Sequence, residues 1–135
     1  AGKDSTELRS ATYKANLLLV PTSPTVADLD ATRIFLSWMD EARDANPKLQ
    51  MLVVLSKAPT YWHSNHVQVA TEALMESPEE IEFDLADTVI HHRNIYDQAL
   101  SEGLSVIESD NLKAKAEIQL LAKEITSLLI TEEGN

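Results

Sequence analysis

The chain has 135 residues, 44% of them hydrophobic, which suits one domain or subdomain (residues 1–135) and leaves little room for a second. It contains no cysteine, which excludes a disulfide framework, a thiolate metal site and a cysteine nucleophile. A formal charge of -11 repels nucleic acid at long range, so any DNA contact has to be local.

In chain order, residues 4–15 read as a helix with Asp4 as N-cap and Glu7 three residues on, and Leu8, Ala11 and Ala15 on one apolar face. The unalternating run 17–20 closed by Pro21 reads as a strand buried on both faces. Residues 25–45 carry a capping pattern, Thr25-x-x-Asp28, and Ala31, Phe35, Trp38, Met39 and Ala42 at helical spacing, stopping at Asn46-Pro47. A second buried strand follows at 51–55, and Val67, Ala70 and Leu74 mark one face of a further helix. Residues 87–91 are expected to form a third, more polar strand, followed by a short helix from Asn94 whose end is signalled by Gly103. The last helix spans 111–130, with Ala114, Ile118, Leu121, Ile125 and Leu128 on one side and Lys and Glu on the other. The acidic residues between Glu72 and Asp87 are expected to be solvated surface.

Strands separated by helices of this length imply an α/β fold, a parallel sheet with helices on both faces in three layers. The runs 17–20 and 51–55 both have the all-apolar character of central strands, so the first is expected to need a neighbour that covers it. The apolar runs are too short to span a bilayer, and the start, Ala1-Gly2-Lys3-Asp4-Ser5, has no apolar signal region, so the expected location is the cytoplasm, with no membrane contact.

Several short motifs fall in a telling order. They are Ala1-Gly2-Lys3-Asp4-Ser5, Glu7-Leu8-Arg9-Ser10-Ala11, the strand ending in Val20-Pro21 with Pro24 and Asp28-Leu29 after it, and Leu52-Val53-Val54-Leu55-Ser56-Lys57. Arg93-x-x-Tyr96-x-x-Ala99 and Gly103-x-Ser105-Val106 complete them. This order resembles the C-terminal half of ParA/MinD-type (deviant Walker A) partition ATPases, where an Asp-x-x-Gly turn, a Val-Pro strand end, an Asn-Lys strand end and an Arg-x-x-Tyr-x-x-Ala helix follow one another. The resemblance covers almost the whole chain. It implies half of a P-loop NTPase or Rossmann-like fold from a plasmid or chromosome partition protein, with ATP and Mg as cofactors of the parent and a ParB-like adaptor and nonspecific DNA as its partners. By the same resemblance Gly2 would offer its N–H toward the terminal phosphate, Pro21 would lie near the nucleotide and the dimerisation face, Ser56 and Lys57 would flank the adenine base, and Arg93 would reach nonspecific DNA. The family usually carries an amide where Ser56 stands, and two histidines, not arginines, precede Arg93.

No G-x-x-x-x-G-K-[ST] motif occurs, and Gly2, Gly103 and Gly134 are too far apart to cradle phosphate. The chain alone is therefore expected to bind no cofactor and to be inert as an ATPase, whereas the parent would be an ATP hydrolase. The alternative is a stand-alone interaction or assembly module on the same scaffold, self-associating through the apolar strand 17–20. Flavodoxin-like receiver domains also alternate strands and helices, but their acidic cluster after an early strand is not found here.

Other residues carry weaker signals. His63 and His66, or His91 and His92, could suggest a metal, but no carboxylate falls at a motif spacing and surface or helix-end histidines are expected. Trp38 and Met39 read as core, from their spacing with Phe35 and Ala42. Tyr61-Trp62 beside Pro59 either lines a ligand cleft or anchors a loop. Ser5, Ser10 and Ser64 have no base partner or nucleophile elbow.

Overall fold

The most completely buried segment of the chain is also its second strand. A computed structural model describes residues 6–61, 65–76 and 80–133, arranged as α1 (Thr6–Lys14), β1 (Leu17–Thr22), α2 (Val26–Asp40) running into a 3-10 turn (Glu41–Asp44), β2 (Gln50–Leu55), α3 (His66–Met75), β3 (Asp84–Leu85), α4 (Asn94–Ser101), a second 3-10 turn (Val106–Glu108) and α5 (Leu112–Glu133). The three strands form one parallel sheet in the order β1-β2-β3, flanked by helices, an arrangement compatible with half of a P-loop or Rossmann-like fold.

Successive residues of β2 point to opposite faces, so an all-apolar strand here requires cover on both. Met51, Val53 and Leu55 join Val20, Leu29, Leu36, Met39, Ala70 and Leu74 in a core under α2 and α3, with Leu8 of α1 at its margin. Leu52 and Val54 face the other way, where Ala86, Ile90 and the α5 residues Leu121, Ile125 and Leu128 cover them. Met39 is buried and Trp38 packs against the first core, as their spacing predicts.

β1 is the sheet edge, and its outer side pairs with no strand among the described residues. Gln50 N–H donates to the Asn16 carbonyl at 3.0 Å and Ser56 N–H to the Thr22 carbonyl at 2.8 Å. In this parallel ladder the even-numbered residues of β1 thus turn their backbone to β2, and Leu17, Leu19 and Pro21 turn theirs to the open edge. Pro21, which has no N–H, therefore costs no ladder bond, and the strand tolerates it.

The third strand differs from the expected 87–91. Regular pairing is confined to Asp84–Leu85 and ends with Ala86 N–H on the Val53 carbonyl (2.8 Å); the chain returns to the end of β2 through Ile90 N–H to the Leu55 carbonyl (2.9 Å) and, beyond β2, through a bridge between Ala58 and His91. Between these points the Asp87 and Thr88 amides donate to the Glu124 carboxylate on α5, at 2.9 and 2.7 Å. Strand pairing is interrupted where a helix side chain takes over the donors.

The helix ends follow local chemistry. Thr25 caps α2 by accepting the Asp28 N–H at 3.2 Å, and the regular α-helix stops at Asp40, with the expected last turn wound as 3-10. Gly103, at φ 73°, terminates α4 in the left-handed conformation, with Leu104 N–H reaching the Ala99 carbonyl at 2.9 Å. Asn111 caps α5 by accepting the Ala114 N–H at 3.0 Å. The expected N-cap Asp4 lies outside the described residues. No helix among them is long and apolar enough to cross a membrane.

Asn46, placed after α2, closes the C-terminus of α1: its amide donates to the Thr12 and Ala15 carbonyls at 3.0 and 2.8 Å. Replacing Asn46 by Ala leaves both carbonyls without this partner. The expected cost is about 1–2 kcal/mol in urea denaturation, with faster amide exchange confined mainly to α1.

Candidate functional site

In parallel α/β sheets ligands bind beyond the carboxyl ends of the strands, because the connections there leave an open rim. Here that rim is a groove of ≈ 580 Å³ between the β1 edge and α2, lined by residues 18–23 of the strand and its exit, by Asp28, Ala31, Thr32 and Phe35 of α2, and by Ser56 and Lys57 beyond β2. Pro21, Ser56 and Lys57, singled out from the sequence, are thus brought together. Gly2 lies outside the described residues.

The floor of the groove is aliphatic and its upper end is polar. Thr22 and Thr32, both buried, share a hydroxyl hydrogen bond of 2.8 Å. Asp28, exposed at the first turn of α2, accepts the hydroxyls of Ser23 and, at 3.0 Å, of Thr25. These two bonds, the Ser23 one foremost, hold the Asp28 carboxyl below the usual carboxylate range, and the charge of Lys57 adds to the effect. Lys57 itself has φ 54°, a left-handed conformation that costs a non-glycine residue roughly 1–2 kcal/mol and concentrates at functional sites.

ATP and Mg are the groups that the family resemblance implies. The groove matches their two ends unequally. A base could lie against Pro21 and the aliphatic floor beside Ser56, whereas a triphosphate would meet the Asp28 carboxylate. The Asp28 N–H, a first-turn amide of the kind that binds phosphate, is already taken by Thr25.

Arg93 lies elsewhere, in a clasp that joins the start of α4 to α5. Its guanidinium pairs with Glu117 at 2.8 Å and is 19% exposed. His91 Nδ1 reaches the same carboxylate at 2.6 Å and the Tyr96 hydroxyl donates to it at 3.1 Å. Ala99 of α4 and Val106, from the motif that follows it, are buried. Burial pushes the Glu117 carboxyl up, but the bonds from Arg93, His91 and Tyr96 outweigh it and the net shift is downward. Burial and then the Glu117 hydrogen bond push the Tyr96 phenol up to about 12. Of the other residues with a sequence signal, Tyr61 sits edge-on to His66 at 6.3 Å, and Ser5, Trp62, His63 and Ser64 lie outside the described residues.

Glu117 and Glu124 are missing from the sequence reading, which placed the acidic residues of the last helix on its outer side. A signal for them exists: Ala114, Glu117, Leu121, Glu124 and Leu128 are spaced alternately by three and four, so both acids stand on the sheet-facing stripe. A charge in register with a core stripe calls for hydrogen-bond donors, and both acids have several.

No family model matches the chain. It is 26% identical over 95 residues to "Maintenance of carboxysome distribution protein A" of Halothiobacillus neapolitanus (strain ATCC 23641 / c2), a match that takes in 70% of this chain and 41% of that protein. This supports a ParA/MinD-like relationship. The chain spans less than half the length of that relative.

The clasp gives a direct test. Glu117→Gln strands a largely buried guanidinium, and at neutral pH it is expected to cost about 2 kcal/mol by urea denaturation. Because the folded carboxyl titrates below its ordinary 4.5, its contribution is complete above that value and disappears as pH falls through the lower, folded one. The stability gap between wild type and variant should therefore close on acidification; a gap independent of pH would show that charge is not what holds the clasp.

Proposed function

We propose that the chain is the C-terminal segment of a cytoplasmic ParA/MinD-type partition or positioning ATPase, supplying the base-side wall of its nucleotide site. The observation that carries this reading is the convergence of Pro21, Ser56 and Lys57, distant in sequence, on one groove at the carboxyl ends of two parallel strands. The match to the carboxysome distribution protein supports it from outside the geometry. In the whole protein, Mg and a phosphate-binding loop would supply the phosphoryl chemistry, and Gly2 would approach the terminal phosphate. The residues at hand supply orientation: Pro21 and the aliphatic floor exclude water from a base, and Ser56 offers it a hydroxyl.

The parent would meet a ParB-like adaptor and nonspecific DNA. In this chain Arg93 would reach DNA only by leaving Glu117, and the net charge of -11 opposes the approach. Isothermal titration of these 135 residues with Mg-ATP is expected to show neither binding nor phosphate release. Micromolar affinity with turnover would refute the reading.

A second reading, that the chain works as an assembly module, draws on the open β1 edge with Leu19 41% exposed on it. Light scattering at high micromolar concentration is expected to show self-association, and Leu19→Lys, which places a charge on the edge, to reduce it. A strict monomer at that concentration would eliminate this second role.

A further inference from the structure

The groove that gathers Pro21, Ser56 and Lys57 already contains an anion. Asp28 is exposed, accepts the Ser23 and Thr25 hydroxyls, and lines the groove together with Lys57. Phosphate sites at helix starts are built from free first-turn amides, hydroxyl donors and a nearby cation. Part of that set has a prior claimant here. The Asp28 N–H donates to Thr25 Oγ1, two hydroxyls donate to the Asp28 carboxylate, and the one lysine of the groove lies close enough to favour that carboxylate's ionised form.

We infer that Asp28 is the specificity-determining residue of the groove: its carboxylate occupies the Ser23 and Thr25 hydroxyls and sets a negative charge where an incoming phosphate would lie, so this end of the groove admits an uncharged group and rejects phosphate. The inference rests on the base-side reading of the groove and deepens it by assigning the rejection to one side chain.

The charge can be removed without dismantling the cap, because Asn keeps an oxygen that accepts the same hydroxyls. The probe is inorganic pyrophosphate at low ionic strength, followed by NMR on wild type, Asp28→Asn, Asp28→Asn/Lys57→Ala, and Asp30→Asn. Asp30 lies on the same helix, bound to Arg33 and outside the groove, and its substitution makes the same change in net charge. Asp28→Asn is expected to bind pyrophosphate about tenfold more tightly than wild type, with shifts at Ser56 and Lys57. The double variant should lose that gain, and Asp30→Asn should match wild type.

Two results would overturn the inference. One is Asp28→Asn binding no more tightly than Asp30→Asn. The other is wild type binding more tightly than Asp28→Asn, with or without Mg, which would make Asp28 a ligand for a phosphate-bridging cation. ATP turnover by the wild-type chain would instead defeat the segment reading, and the Asp28 comparison separates the two failures.

Discussion

Two carboxylates on the sheet-facing stripe of α5 hold the second half of the chain in place. A buried carboxylate is costly unless its lone pairs are filled, and one whose partners all come from a single distant segment fixes where that segment lies. Glu124 takes the Asp87 and Thr88 amides and the Thr88 hydroxyl, and Glu117 takes Arg93, His91 and Tyr96. Residues 87–96 are thus fastened to one helix at two points seven residues apart. A two-residue β3 could not position them, because its ladder with β2 is too short to specify a register by itself. The same fastening presses Leu121, Ile125 and Leu128 onto Leu52 and Val54, so polar anchoring and apolar cover of the second sheet face are one event.

On the first face the order of dependence is reversed. There α2 and α3 bury a continuous apolar core against Met51, Val53 and Leu55, and the few buried polar groups are threonine hydroxyls such as Thr12, Thr22 and Thr32. Asn46 and the Thr22–Thr32 pair each satisfy groups that the packing has already brought together. The candidate groove opens at the rim of this core, with one wall from the strand ends and the other from the α2 start. Its shape is thereby set by the rigid core, while its polarity is set by a few exposed side chains, chiefly Asp28 and Lys57, that the core does not constrain.

This division explains what could be read in advance. Apolar periodicity places α2, α3, α5 and the first two strands, because burial against a sheet imposes a period that neighbouring residues display. It fails at residues 87–91, whose β-like composition promises a strand. Their amides are claimed by Glu124, a residue 37 positions beyond Asp87, and no local pattern reports a donor's distant acceptor. The end of α2 is misplaced for a related reason: the apolar spacing runs on to Ala42, but the chain tightens into 3-10 before it turns at Asn46. Arg93, Tyr96 and Ala99 were recognisable as a motif, although their common purpose, to clasp Glu117 and bury a helix, became visible only with the partner in view. Asp28 was legible as a capping residue, whereas its place opposite Lys57 depends on two strands lying in register.

The open edge and the groove are a single feature. Residues 18–22 line the groove in unbroken succession, which is possible only because no strand lies beyond β1 among the described residues. Any strand that adds to this edge, from a longer chain or from a second copy, becomes a wall of the groove and takes the outward carbonyls of Leu17, Leu19 and Pro21 as its acceptors. It finds no donor at Pro21, so its ladder weakens just where the groove reaches Ser56 and Lys57. Occupancy of the edge and occupancy of the groove are then coupled through shared residues, and whatever its sign that coupling is equal in both directions. The two readings of this chain, as a segment of a nucleotide-binding protein and as an assembly module, therefore place their demands on the same few residues of β1.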